Sequence, residues 1–177
     1  HKKIANANCA SNDCDILELG AGALTTLDEK TFKTYDIVEP FTNLYKRRDE
    51  LIKVRNIFSD ISDISDGNAY ERIISVSTLE HICNLPEVVA RSGALLSKNG
   101  VFQTSISSEG TFLWKLGWQL TTGFEFWLKY RLNYSLLMRH EHVNTAYEIE
   151  KILGYLFNEV KCEVFGPSKD ILLYSYY

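Results

Sequence analysis

The chain has 177 residues, with 19 Lys and Arg against 23 Asp and Glu and a net charge of −4. That length suits one domain with a full core, and the acidic balance supplies no general attraction to nucleic acid or to an anionic membrane. At 45% apolar and 24% charged, with no apolar run of 18 residues and no signal-peptide pattern, the composition is that of a soluble globular protein, expected in the cytoplasm.

Residues 1–14 are polar and read as a lead-in. Short apolar runs then recur: "DILELG" (15–20), "TYDIVEP" (34–40), a strand around Val54–Phe58, "YERIISVS" (70–77) and "GVFQTSI" (100–106). Continuous rather than alternating apolarity predicts strands buried on both faces of a parallel sheet. "NLPEVVARSGALLSKNG" (84–100) reads as a helix with Val88, Val89, Leu95 and Leu96 inward, ended by an Asn99-Gly100 turn. "NTAYEIEKILGYLFNE" (144–159) reads as another, capped by Asn144 or Thr145. "VKCEVFG" and "DILLYSYY" close the chain as alternating strands. There is no internal repeat or Pro/Gly-rich linker, so residues 1–177 read as a single α/β domain of helices interleaved with strands. Cys9, Cys14, Cys83 and Cys162 form no CxxC pair, which favours reduced thiols over a zinc site.

The turn after the first strand carries Gly20 and Gly22. Glycines there accommodate a dinucleotide, a nucleoside or simply a sharp turn. The sixth position of a dinucleotide fingerprint is Thr25 instead of glycine, and no GxxxxGK[ST] phosphate loop exists. Glu39 ends the second strand, nineteen residues after Gly20, where a carboxylate can accept hydrogen bonds from ribose hydroxyls. Asp60 ends the third strand and can accept from an adenine amino group. Open α/β sheets bind ligands at the carboxyl ends of their strands, so the three positions together favour a nucleoside with a cationic, phosphate-free tail.

With these residues in place the sequence resembles a class I S-adenosylmethionine-dependent methyltransferase of the small-molecule or glycan-pathway type. "LELGAGAL" is similar to the first motif through Glu18, Gly20 and Gly22, "DIVEP" to the second through Glu39, and "FSDIS" to the adenine-side motif through Asp60. "ERIISVSTLEHICNLPEVVARSGALLSKNGVFQTSI" is similar to the fourth and fifth strands with their helix. The resemblance covers roughly residues 15–106. It implies a Rossmann-like, mostly parallel seven-stranded sheet flanked by helices, with an antiparallel C-terminal strand, to which this sequence adds an aromatic helical insert after strand five. It also implies S-adenosylmethionine as cofactor and S-adenosylhomocysteine as product, contacted by Glu18, Gly20, Ala21, Gly22, Glu39, Pro40, Phe41, Asp60, Ile61 and Ser77. Two features depart from the family pattern. The third glycine is Leu24, and the twelve residues between Gly22 and Tyr35 leave room for a short first helix at most.

Methyl transfer to a hydroxyl benefits from a general base, most often histidine. His142 in "MRHEHVNT" is the first candidate, His81 in "STLEHI" is the second, and Glu80 beside it joins them as a candidate catalytic residue. Glu80-His81 also resembles the end of an ExxEH metal motif, but the preceding ligand position is Ser77, so no metal is expected.

Residues 107–142 stand outside the minimal fold and contain all three tryptophans, Trp114, Trp118 and Trp127. They read as one or two helices that pack on the sheet, form a substrate lid, or make peripheral membrane or partner contact through 111–131. The expected activity is methyl transfer to a small molecule, with a saccharide or lipid-linked sugar suited to an aromatic wall and no nucleic-acid partner. The alternative is a non-catalytic cofactor-binding or interaction module on the same fold. The oligomeric state is open.

Overall fold

The computed structural model describes residues 14–27, 32–107, 128–129, 131, 142–165 and 174–176. Seven strands form one sheet: β1 (Asp15–Leu19), β2 (Thr34–Val38), β3 (Asn56–Phe58), β4 (Tyr70–Val76), β5 (Leu96–Ser107), β6 (Glu163–Phe165) and β7 (Tyr174–Tyr176). Their order is β3-β2-β1-β4-β5-β7-β6. Parallel pairing between neighbours is confined to the first five in that order, and β7 runs antiparallel to both β5 and β6. Three helices are described, α1 (Thr42–Tyr45), α2 (Leu85–Leu95) and α3 (Ala146–Leu156), together with short 3-10 turns at 49–53, 61–63 and 79–81.

Along β1 successive residues point to opposite faces, and both faces are covered. Ile16 joins Leu24, Leu27, Tyr35, Ile37 and Ile74 on one side, whereas Leu17 and Leu19 join Ile61, Ile64, Tyr70, Ile73 and Val88 on the other. This two-sided burial is why the strands read as continuous apolar runs. A third cluster, from Leu79, Leu85, Val89, Ile106, Ile149 and Leu153, seals α2 against α3 and the end of β5.

Several boundaries differ from the sequence reading. The helix expected over 84–100 ends at Leu95, β5 begins at Leu96, and Asn99 and Gly100 fall in the irregularity between Leu96, opposite Tyr70, and Val101, opposite Arg72. A Cβ on Gly100 would stand 2.9 Å from the Tyr70 carbonyl oxygen, where the β4–β5 register shifts. Glycine there answers a close backbone approach inside a sheet. Thr145 is the cap of α3, in a capping box with Glu148. Between Gly22 and Leu27 the chain makes turns, with Leu24 and Leu27 donating to the carbonyls of Ala21 and Leu24. Cys14 is disulfide-bonded, against the expectation of reduced thiols, while Cys83 and Cys162 are free. Pairing depends on which sulfurs the fold brings within reach, which spacing does not show. Most of the 107–142 insert, including its tryptophans, lies outside the described residues. Among the described residues no helix is long and apolar enough to cross a membrane.

Candidate functional site

The strand order reverses at β1, with β2 on one side and β4 on the other. At such a switch point the loops leaving the two strands part, and a crevice opens at their carboxyl ends. A cavity of about 430 Å³ lies there, within the range of small-molecule sites. The ends of β1 to β4 supply Gly20, Glu39, Asp60 and Ser77, each with its neighbours, and the following turn adds His81.

Gly20 and Gly22 both have positive φ, 67° and 51°. Gly20 donates to the Val38 carbonyl at 2.9 Å, and a Cβ on it would stand 2.3 Å from Thr78 Oγ1. Its lack of a side chain therefore serves the packing of β1 against Thr78 as well as the turn. Gly22 differs, since a Cβ there would meet nothing within 4 Å. Its constraint is the backbone conformation that aims its N–H at Glu39 Oε2, 2.8 Å away. Leu24, at the third glycine position of the resembled motif, has φ 59° and is fully buried. The left-handed turn is kept with a side chain in place of glycine, a conformation that costs about 1–2 kcal/mol, and that side chain fills the core under the loop.

Glu39 is 5% exposed and lines the cavity. Its Oε1 accepts from Phe41 N–H at 2.9 Å and its Oε2 from Gly22 N–H at 2.8 Å. A carboxylate offers about four lone-pair sites, so two backbone amides fix its orientation and leave acceptor capacity for two further donors. Asp60 caps the 61–63 turn. Its Oδ1 accepts from Ser62 Oγ at 2.7 Å and Ser62 N–H at 2.8 Å. Those bonds hold its carboxyl below the usual carboxylate range, so it faces the cavity ionised at neutral pH. Ser77 has φ 51° and donates its N–H to the Ser105 carbonyl at 2.9 Å. Backbone strain of this kind concentrates where loops shape a site.

Of the residues expected at the cofactor, Gly20, Glu39, Pro40, Phe41, Asp60, Ile61 and Ser77 line the cavity. Gly22 reaches it through Glu39. Ala21 is buried beneath the turn. Glu18 is 1% exposed and accepts from Tyr35 Oη at 2.7 Å, inside the sheet and outside the cavity lining. Burial first, and the Glu18 carboxylate second, push the Tyr35 hydroxyl well above its ordinary pKa.

His81 is exposed on the cavity wall, and His142 packs edge-on against it with ring centroids 4.5 Å apart. The two candidate bases, 61 residues apart in sequence, are thus brought together. Glu80 is 1% exposed, and its carbonyl accepts from the N–H groups of Val143 and Asn144. Among the described residues no group of three or more His, Cys, Asp or Glu could hold a metal ion. Sequence reasoning missed Thr78, whose contact with Gly20 is a tertiary approach with no local signal. It also missed Asn144 as anything other than a helix cap.

No protein-family model and no curated protein matches the sequence. Solved structures do match the fold. A candidate methyltransferase from Bacillus halodurans is similar with a TM-score of 0.63 at 13% identity, over 93% of this chain and 70% of that one. DhpI in its complex with S-adenosylhomocysteine is similar with a TM-score of 0.61 at 11% identity, over 99% and 78%. The CurJ carbon methyltransferase has a TM-score of 0.60 at 17% identity, over 99% of this chain and half of that one. The architecture is the class I methyltransferase fold, an α/β Rossmann-like sheet with flanking helices.

Proposed function

We propose that the chain binds S-adenosylmethionine at the ends of β1 to β4 and passes its methyl group to a small molecule. One observation supports this above the others. Glu39 is held by two backbone amides with acceptor capacity left toward the cavity, the arrangement a vicinal ribose diol requires. Among the described residues the lining also contains the carboxylates of Glu39 and Asp60 and no Lys or Arg. That set suits a cationic nucleoside and opposes a phosphate. The fold neighbours that carry S-adenosylmethionine chemistry in their own names support the same reading at the level of fold.

When bound, S-adenosylmethionine supplies a sulfonium-activated methyl for in-line displacement. The chain's own residues then have separate tasks. Glu39 orients the ribose, Asp60 with the Ile61 backbone faces the adenine side, and Phe41, 68% exposed at the rim, offers an apolar face. His81 and His142 stand where an acceptor hydroxyl would lose its proton, with alignment and exclusion of water supplying the rest. A saccharide or lipid-linked sugar is the acceptor class we favour, on the aromatic-rich composition of residues 107–142.

The test is transfer of labelled methyl from S-adenosylmethionine to a panel of saccharides and other small hydroxylated compounds. Label should pass to a member of the panel. His142→Ala should lower turnover while S-adenosylhomocysteine affinity stays within about twofold of the native value. Tight S-adenosylhomocysteine binding with no transfer to any acceptor would favour a non-catalytic binding module. The buried Leu24 at the third glycine position is the observation on that side.

A further inference from the structure

The stretch 142–145 meets the 79–82 turn through four hydrogen bonds. Asn144 Nδ2 donates to the Leu79 carbonyl at 2.9 Å and to the Ile82 carbonyl at 2.7 Å, using both amide protons. The N–H groups of Val143 and Asn144 converge on the Glu80 carbonyl at 2.9 and 3.1 Å. Three carbonyls of one turn are thus gripped by two consecutive residues. Thr145 caps α3 with its own hydroxyl, which leaves the Asn144 side chain for this crossing.

The consequence falls on the residues at either end of the grip. His81 belongs to the clamped turn and His142 immediately precedes the clamping residues. Their edge-to-face contact at 4.5 Å and 77° is the product of that register. Asn is suited to the task because a short stem carries two donors. Asp would present only acceptors to carbonyl oxygens, and Gln would place its donors one bond further out.

We propose that Asn144 is a positioning residue. It locks the start of α3 onto the 79–82 turn and thereby sets His142 against His81 at the mouth of the cavity. The inference deepens the reading above, since the histidines matter for acceptor chemistry only if the cavity holds the methyl donor. The ring contact itself stands on the geometry alone.

Nuclear Overhauser contacts between the two imidazole rings, recorded on the full chain, read the register directly. The native chain should show a ring–ring contact. Asn144→Ala should lose it while the amide signals of β1, β2 and β4 keep their positions, and Asn144→Ser, which retains one donor, should keep part of it. Should Asn144→Ala fail to fold, the graded loss in Asn144→Ser carries the same test. S-adenosylhomocysteine titrated into the same samples should bind the native and substituted chains within about twofold, because no cofactor-facing residue is altered. A ring contact that survives unchanged in both variants, or is missing from the native chain, would overturn the proposal. Absence of S-adenosylhomocysteine binding in a native chain that shows the contact would instead count against the cofactor reading.

Discussion

Two carboxylates on one strand and its tip, three residues apart, have opposite surroundings. Asp36, 1% exposed, is enclosed by side chains. Arg55 donates through Nε and Nη2 at 2.9 and 2.6 Å, Tyr70 Oη at 2.8 Å, and Asn56 through its backbone and side-chain amides at 3.1 and 3.2 Å. Glu39, 5% exposed, is held only by the backbone N–H groups of Gly22 and Phe41 and turns toward a cavity. A buried charge must be paired or hydrogen-bonded, and both are. The partners differ in kind, however. Donors from Arg55, from Asn56 of β3 and from Tyr70 of β4, all but the Asn56 backbone amide being side-chain groups, saturate Asp36 and tie three strands together. The backbone amides at Glu39 instead orient it and leave capacity for a ligand. Burial and charge alone do not separate a structural acid from a binding one.

Substitution at the two positions should separate stability from binding. The largest effect is expected for Asp36→Ala, which strands the Tyr70 hydroxyl and one face of the Arg55 guanidinium. A loss of about 3 kcal/mol in unfolding free energy is expected, read by urea denaturation, with little change in ligand affinity for whatever fraction stays folded. Glu39→Ala should do the reverse. Its main cost should fall on S-adenosylhomocysteine affinity, on the order of 2–4 kcal/mol for two charge-assisted bonds, with a smaller change in stability.

The pH dependence sharpens the same contrast. Burial pushes the Asp36 carboxyl up, but the bonds from Arg55, Tyr70 and Asn56 hold it below the usual range. Its contribution is therefore present above an unfolded value near 4 and fades as pH falls through the lower folded value. Burial and then Asp36 push the Tyr70 hydroxyl up, and Tyr35 is raised likewise by burial and Glu18. Those contributions are complete below an unfolded pKa of about 10 and fade as pH rises through the higher folded values. Unfolding followed by circular dichroism should show stability falling on the alkaline side, and Tyr70→Phe should make that limb shallower. A limb unchanged in Tyr70→Phe would detach Tyr70 from the network. The smallest effect is expected at Ser77→Gly. Relief of the left-handed backbone outweighs the added chain entropy by about 0.5 kcal/mol, so thermal unfolding should shift slightly upward.

Much of this was legible in the sequence because it depends on local chemistry. Two-sided burial leaves continuous apolar strands, and the successive strand ends that carry Gly20, Glu39 and Asp60 are the ends that meet at the cavity. What escaped the sequence are facts of approach. Gly20 is glycine partly because Thr78, 58 residues away, packs over it, and no local pattern records that. Asn144 and Thr145 are interchangeable as caps on residue type; the structure separates them, with Thr145 in a capping box with Glu148 and Asn144 crossing to Leu79 and Ile82. Asn99-Gly100 has the composition of a turn and sits at the irregularity between the Tyr70–Leu96 and Arg72–Val101 pairs. There the Tyr70 carbonyl of β4 leaves no room for a Cβ on Gly100, a constraint no local pattern records. Glu18 matches the resembled motif by position, but the fold spends its carboxylate on Tyr35.

We propose that the cavity at the strand ends is built for the ribose and adenine of S-adenosylmethionine, with Glu39 as its anchor. Calorimetric titration of S-adenosylhomocysteine into the native chain, Glu39→Ala and Asp36→Asn at one pH tests it most directly. Saturable one-to-one binding by the native chain, lost in Glu39→Ala and retained in folded Asp36→Asn, is the predicted result. Equal affinity in the native chain and Glu39→Ala, or no heat of binding to the native chain, would contradict it.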